Sequence, residues 1–289
     1  MSAFSLNSIE PLEGRALLSS AVLGDDGVLA ITGSGRADKI SVYLNRRDPG
    51  RLEVKLNRGV SAYDLDKIVG IRVNGGGGDD RIDLSEANGS IRLASKLYGG
   101  VGDDSLTGAS GRDRIYGGAG DDSIAGANNR DVIYGELGDD SIFGGHHDDS
   151  VFGGVGDDSL RGGRGRDRCF GDDGNDFVIG DDDRDSVDGG RGDDSCHGGR
   201  GEDSVLGGDG RDAFGTDDND RERRDRGRGD DDGPLHDLND DNGGQRDRDD
   251  RDESGDDRDN RNDDDDDDDR RGRGGDDGGT DDHGGRGRG

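Results

Sequence analysis

From residue 99 to residue 215 an apolar side chain returns every ninth position in a background of Gly, Asp and Arg: Leu106, Ile115, Ile124, Ile133, Ile142, Val151, Leu160, Cys169, Val178, Val187, Cys196, Val205 and Phe214. Each is flanked by mostly polar residues, so each predicts a three-residue strand with its middle side chain inward and its neighbours outward. Upstream the pattern changes. Ile40, Val42 and Leu44 alternate with polar residues, as do Leu52, Val54 and Leu56, and this alternation predicts two half-buried strands joined by a turn at Arg46–Gly50. Ile71 and Val73 lead into Gly75–Asp83, a single copy of the nine-residue phrase, and a looser copy spans Gly33–Ser41. The chain thus divides into an N-terminal segment (1–24), a β-rich cap (25–98), the periodic array (99–215) and a C-terminal stretch (216–289).

The other positions of the phrase G-G-x-G-x-D-x-U-x, where U is apolar, are as regular. Position one is Gly in all thirteen copies of the array, and position six is Asp in all of them. A short fixed period means one structural unit stacked on itself. Gly at positions one, two and four predicts turns with positive φ. Where position four loses Gly it holds Asn129, His147 or Asp183, the residue types that best tolerate that region. Position five alternates: Asp103, Asp121, Asp139, Asp157, Asn175 and Asp193 in odd copies up to the eleventh, and Arg112, Arg130, Arg166 and Arg184 in even ones, broken by Asp148 and Glu202. The repeating unit is therefore eighteen residues, two copies per turn. The predicted fold is all-β, a parallel β-roll (β-solenoid) with one acid-rich edge and one edge tempered by Arg.

Composition sets a condition on that fold. Of the 289 residues only 25% are hydrophobic and 4% aromatic, there are 60 Gly, and the formal net charge is −32. One inward side chain per nine ordered residues is too thin a core, and stacked aspartates repel. Such a chain repels nucleic acid and anionic membrane surfaces and attracts cations, and it has no apolar run long enough to span a bilayer. Cations held between successive turns reverse the sign of the Asp repulsion. The candidate ligands are the position-six carboxylates Asp104, Asp113, Asp122, Asp131, Asp140, Asp149, Asp158, Asp167, Asp176, Asp185, Asp194, Asp203 and Asp212, with Asp80 from the upstream copy. Carbonyl oxygens of the Gly-rich turns complete the set, and oxygen-only donors in a flexible cage favour Ca²⁺. Sites between copies two apart number at most about eleven in the array, and folding and ion binding are expected to be one equilibrium.

These columns closely resemble the RTX, or haemolysin-type calcium-binding, repeats of exported bacterial proteins. The resemblance covers residues 99–215 and Gly75–Asp83. It implies a parallel β-roll holding Ca²⁺ in its turns through the position-six aspartates, and a secreted, extracellular or cell-surface protein. Copies carrying Asn129, Glu136, His147, Asp172 or Asp181 in place of Gly depart from the family pattern, which implies weaker turns there. Leu12–Ser19 (LEGRALLS) resembles the LEPR-XLL sorting signal, with Gly14 where that pattern has Pro; this implies export, against the plainer alternative of a short leader without a targeting role.

Other constellations carry less. Cys169 and Cys196 both hold position eight and sit 27 residues apart, one and a half turns, which puts them on opposite sheets as buried free thiols. His146 and His147 read as solvated turn residues. Neither H-E-x-x-H nor G-x-S-x-G occurs, and about 75 residues precede the first full copy, so no enzyme is expected. Asp237–Asp241 opens like an EF-hand loop, but Asn242 and Arg248 stand where its Gly and Glu belong. Residues 216–289 carry 30 acidic and 15 basic side chains and are expected to be disordered. The expected function is that of an exported calcium-binding structural or surface component, its partners being calcium ions and cell-surface or matrix components. The alternatives are an adhesion or matrix role for the acidic tail and, third, a small RTX-linked hydrolase in the N-terminal segment.

Overall fold

The computed structural model describes residues 19–215 and the backbone of Arg221–Glu222. Of the stretch 216–289 expected to be disordered, only β22 (Arg221–Glu222) is described, and it pairs parallel with Ser204 and Val205; the rest of that stretch, with the EF-hand-like Asp237–Asp241, and the LEPR-XLL-like Leu12–Ser19, except Ser19 itself, lie outside the described residues. The chain opens with β1 (Ser20–Leu23), antiparallel to β2 (Val28–Thr32). The predicted pair of alternating strands is β3 (Lys39–Leu44) and β4 (Arg51–Leu56), and β5 (Gly59–Asp64) extends them into an antiparallel meander. From β6 (Gly70–Gly77) onward every pairing is parallel. β7 (Arg81–Ser85), β8 (Ser95–Val101) and β9 (Ser105–Thr107) lead into the array, whose strands run from β10 (Asp113–Ala119) to β21 (Ala213–Phe214).

Two sheets result, each of eleven strands, and in the array they take alternate strands of the chain. Ile115 pairs with Leu97 and Ile133 on one sheet. Ile124 pairs with Leu106 and Ile142 on the other. The eighteen-residue unit is thus the pitch of the roll. Position-eight side chains from Leu106 to Val205 are buried between the sheets, and Phe214 is packed against them. The cap is far better filled, with Leu29, Ile31, Ile40, Val42, Leu52, Val54, Ile71, Val73, Ile82 and Leu84 all buried. Both sheets run continuously from the N-terminal strands into the array: β1, β2 and β6 lie in one with β8 and β10, and β3 and β7 lie in the other with β9.

Two expectations need correction. The strands are six or seven residues long in most of the array, not three, because identical turns stack in register and pair as well. Gly120 N–H donates to the carbonyl of Leu137 at 2.9 Å, and Gly138 N–H to that of Val155 at 2.9 Å. The second correction concerns glycine. Positive φ occurs at positions two and four, as at Gly118 (123°) and Gly120 (127°), but not at position one. The demand at position four survives loss of Gly, with φ of 83°, 77° and 83° at Asn129, His147 and Asp183. At position two it survives at Ala127, Glu136, Asp172 and Asp181, with φ of 75–84°. These substituted turns keep the backbone of their neighbours, whereas Ala109, at position two of the second copy, does not take a positive φ.

One sheet also carries an outward ladder of rings, one just before the array and four at position nine of even copies. Tyr98, Tyr116, Tyr134, Phe152 and Phe170 stack at centroid spacings of 4.9–5.1 Å and interplanar angles of 4–11°. The spacing follows the strand separation, so each ring lies offset on the next and adds cross-strand contact. Cys169 and Cys196 are buried free thiols on opposite sheets.

Candidate metal centre

Every position-six aspartate from Asp104 to Asp203 is buried, and so is Asp80. Their carboxylates make a one-directional ladder along each edge of the roll. On the odd edge the N–H of Asp104 donates to Oδ1 of Asp122 at 2.7 Å, that of Asp122 to Asp140 at 2.8 Å, and so on to Asp212. On the even edge Asp113, Asp131, Asp149, Asp167, Asp185 and Asp203 repeat the pattern at 2.7–2.8 Å. The odd ladder continues upstream, since Asp80 N–H donates to Asp104 and Asp38 N–H to Asp80, both at 2.7 Å. Asp38 holds position six of the looser copy at Gly33–Ser41.

This ladder occupies one carboxylate oxygen and leaves the other. Oδ2 is buried without a hydrogen-bond partner in Asp80, Asp104, Asp122, Asp131, Asp140, Asp149, Asp158, Asp167, Asp176, Asp185, Asp194 and Asp203. Such a group is costly unless something positive meets it. The position-one glycines show where that would be. A Cβ built on Gly189 would lie 2.5 Å from Asp194 Oδ2 and 2.5 Å from the carbonyl oxygen of Gly207. At Gly162 the corresponding distances are 2.6 Å to Asp167 Oδ2 and 2.7 Å to the carbonyl of Gly180. A carboxylate oxygen and a carbonyl oxygen from the next turn face one small volume that only glycine leaves open. Position one is therefore glycine for space, not for φ.

Electrostatics agrees with the geometry. Burial, reinforced by neighbouring aspartates, raises these carboxyls from 3.8 to about 6 at Asp80, Asp140, Asp167 and Asp176. Asp122, Asp158 and Asp194 rise to about 7, Asp149 and Asp185 to about 8, and Asp131 to about 9. Each buried carboxylate lacks a counter-charge. Among the described residues no three His, Cys, Asp or Glu side chains converge on one point, so any ion here takes backbone oxygens as well. A hard, oxygen-only donor set of this kind suits Ca²⁺.

Residues 72–91 and 98–214 are RTX calcium-binding nonapeptide repeats. The family model matches at 72–91 and, in overlapping stretches, at 98–214. No curated protein and no solved structure matches the chain.

The two edges of the RTX roll differ outside this ladder. On the odd edge position-five side chains cap in the opposite direction: Asp121 N–H donates to Oδ1 of Asp103 at 3.0 Å, and Asp139 N–H to Asp121 at 2.9 Å. On the even edge Asp148 sits between Arg130 and Arg166, at 2.6 and 3.1 Å. A hydrogen bond from the Arg166 N–H and the two guanidinium groups hold its carboxyl below the usual range. His146 and His147 are exposed; His147 Nδ1 lies 3.2 Å from the N–H of Asn129 on the preceding turn.

Two expected ligands stand apart. Asp113 opens the even ladder, and its Oδ2 accepts the N–H of Ala109 at 2.8 Å. Asp212 closes the odd ladder as the acceptor for Asp194, at 3.1 Å. Sequence reasoning missed the groups that serve the upstream ends, namely Ser34, Asn57, Glu86 and Ser95. Only Ser34 had a signal, as a non-glycine residue at position two of the looser copy.

Proposed function

We propose that this protein is an exported calcium-binding structural or surface component whose RTX roll folds when its turns take up Ca²⁺. The observation that carries the reading is the column of buried, unpartnered Oδ2 atoms, those from Asp80 to Asp194 each facing a carbonyl oxygen of the next turn across a position-one glycine. Bound Ca²⁺ supplies the positive charge that this arrangement lacks. The chain supplies the rest: Oδ1 fixes the turn spacing, Oδ2 and the carbonyls face the ion, and position-eight side chains keep water out. In the array the coupling is strong because the apolar core alone is thin. Extracellular calcium, plentiful compared with that inside cells, is the trigger.

The expected stoichiometry is about twelve ions, one for each unpartnered Oδ2, eleven of them in the array. Far-UV circular dichroism and ion counting during one calcium titration test this. Coil should convert to β, with that many ions bound at the plateau. An unchanged spectrum, or a plateau at one or two ions, would refute the reading.

A further inference from the structure

The unpartnered carboxylates are not spread over the whole roll. At the start of each ladder the protein itself supplies the missing donors. On the odd edge the first carboxylate is Asp38. Its Oδ2 accepts the backbone N–H of Ser34 at 2.5 Å and the Ser34 hydroxyl at 2.8 Å, and its Oδ1 accepts the side-chain amide of Asn57. Asn57 is held in turn by the adjoining strand: its N–H donates to the carbonyl of Lys39 at 2.7 Å, and its Oδ1 accepts the Lys39 N–H at 2.9 Å. On the even edge the first carboxylate is Asp113, whose two oxygens accept the N–H groups of Ser95 at 3.1 Å and Ala109 at 2.8 Å. Glu86 closes the turn above it by accepting the N–H and hydroxyl of Ser110 at 2.8 and 2.9 Å. The unpartnered oxygens begin at the next member of each ladder, Asp80 and Asp131.

We infer that the N-terminal cap, whose dense core outweighs the single unpartnered carboxylate of Asp80, folds without calcium and serves as the template from which the array is laid down turn by turn toward the C-terminus. Three independent features coincide there: the dense core, the antiparallel meander that closes the sheet, and donors for the first carboxylate of each edge. Each later turn gains a preformed strand edge and a row of Asp N–H groups to pair with, which removes the cost of starting a sheet afresh. The inference rests on calcium-coupled folding of the array and adds to it a place of origin and a direction.

Hydrogen exchange on the full chain tests it. In EGTA, amides of β2 to β7 should be protected and those of residues 118–214 should not. In stepwise calcium, protection should spread from the first copies toward the last. Stopped-flow fluorescence or circular dichroism gives a second readout. Asn57→Ala removes a donor to a charged acceptor in the template and should slow calcium-induced folding roughly tenfold or more. Asp203→Asn, near the far end, should leave that rate within about twofold.

An unprotected cap in EGTA would overturn the inference, as would protection that starts at the last copies or arises everywhere at once. So would equal effects of the two variants on the folding rate. If calcium produced no protection in the array under any condition, calcium-coupled folding itself would fail. A protected cap in EGTA would then still separate the two failures.

Discussion

The backbone N–H of Asp140 donates to Oδ1 of Asp158 at 2.8 Å, and Oδ2 of Asp158 is left buried with no partner. One side chain thus sets the spacing between two turns and creates an uncompensated charge in the same place. Removing that charge should act in opposite directions with and without calcium. Asp158→Asn keeps an oxygen for the Asp140 N–H and loses the anion. The expected outcome is one fewer ion in a calorimetric titration and a higher calcium midpoint. In EGTA at pH 8 the same variant should show equal or greater β signal than the parent.

Gly153 and Ala127 separate the two uses of glycine. Gly153 is at position one, where a Cβ would meet Asp158 Oδ2 and the carbonyl of Gly171; Gly153→Ala should eliminate one ion by filling its place. Ala127 is at position two with φ of 84°. Ala127→Gly should relieve backbone strain of about 1 kcal/mol in the calcium-loaded state, partly offset by the freer unfolded chain. Ion counting checks the first and denaturation in saturating calcium the second.

The response to pH should reverse when calcium is removed. Carboxyls whose folded pKa is raised, to about 6–9 here, bind protons more tightly in the folded state than in the unfolded chain. Their protonated form supports the metal-free roll fully below about pH 4, and that support is lost as pH rises through 6 to 9. Metal-free protein should therefore gain β structure on acidification and lose it toward pH 9. Calcium binding needs the deprotonated carboxylates, so the calcium midpoint should fall as pH rises. Circular dichroism across pH, with EGTA and with calcium, distinguishes the two slopes.

Cys169 and Cys196 report the state of the array at its eighth and eleventh copies. Both are completely buried, and burial pushes both thiols up. In calcium they should react with a thiol reagent orders of magnitude more slowly than in EGTA, because only the thiolate of an opened turn is accessible. A spectrophotometric thiol assay checks this, and comparable rates in the two conditions would contradict a folded array.

Much of this molecule can be read from its repeats. The inward column, the eighteen-residue pitch and the positive-φ demand at Asn129, His147 and Asp183 follow from local sterics and period, which a linear sequence carries directly. The position-six column likewise identified the buried carboxylates. The use of position one was misread, because the atoms that exclude a Cβ include a carbonyl eighteen residues away and meet it only once turns are stacked. The direction of the Asp ladder had no signature for the same reason: a carboxylate looks alike whichever oxygen it spends on its neighbour.

The donors that serve Asp38 and Asp113 lay further out of reach. Asn57 comes to Asp38 from a hairpin nineteen residues on, and Glu86 reaches Ser110 across a loop that replaces a repeat. By itself the sequence determined the unit, its pitch and its hunger for cations, since these depend on which residue types recur. Only the tertiary structure decided which oxygens remain unpartnered and where the roll can begin, since these depend on which side chains from distant segments meet each carboxylate.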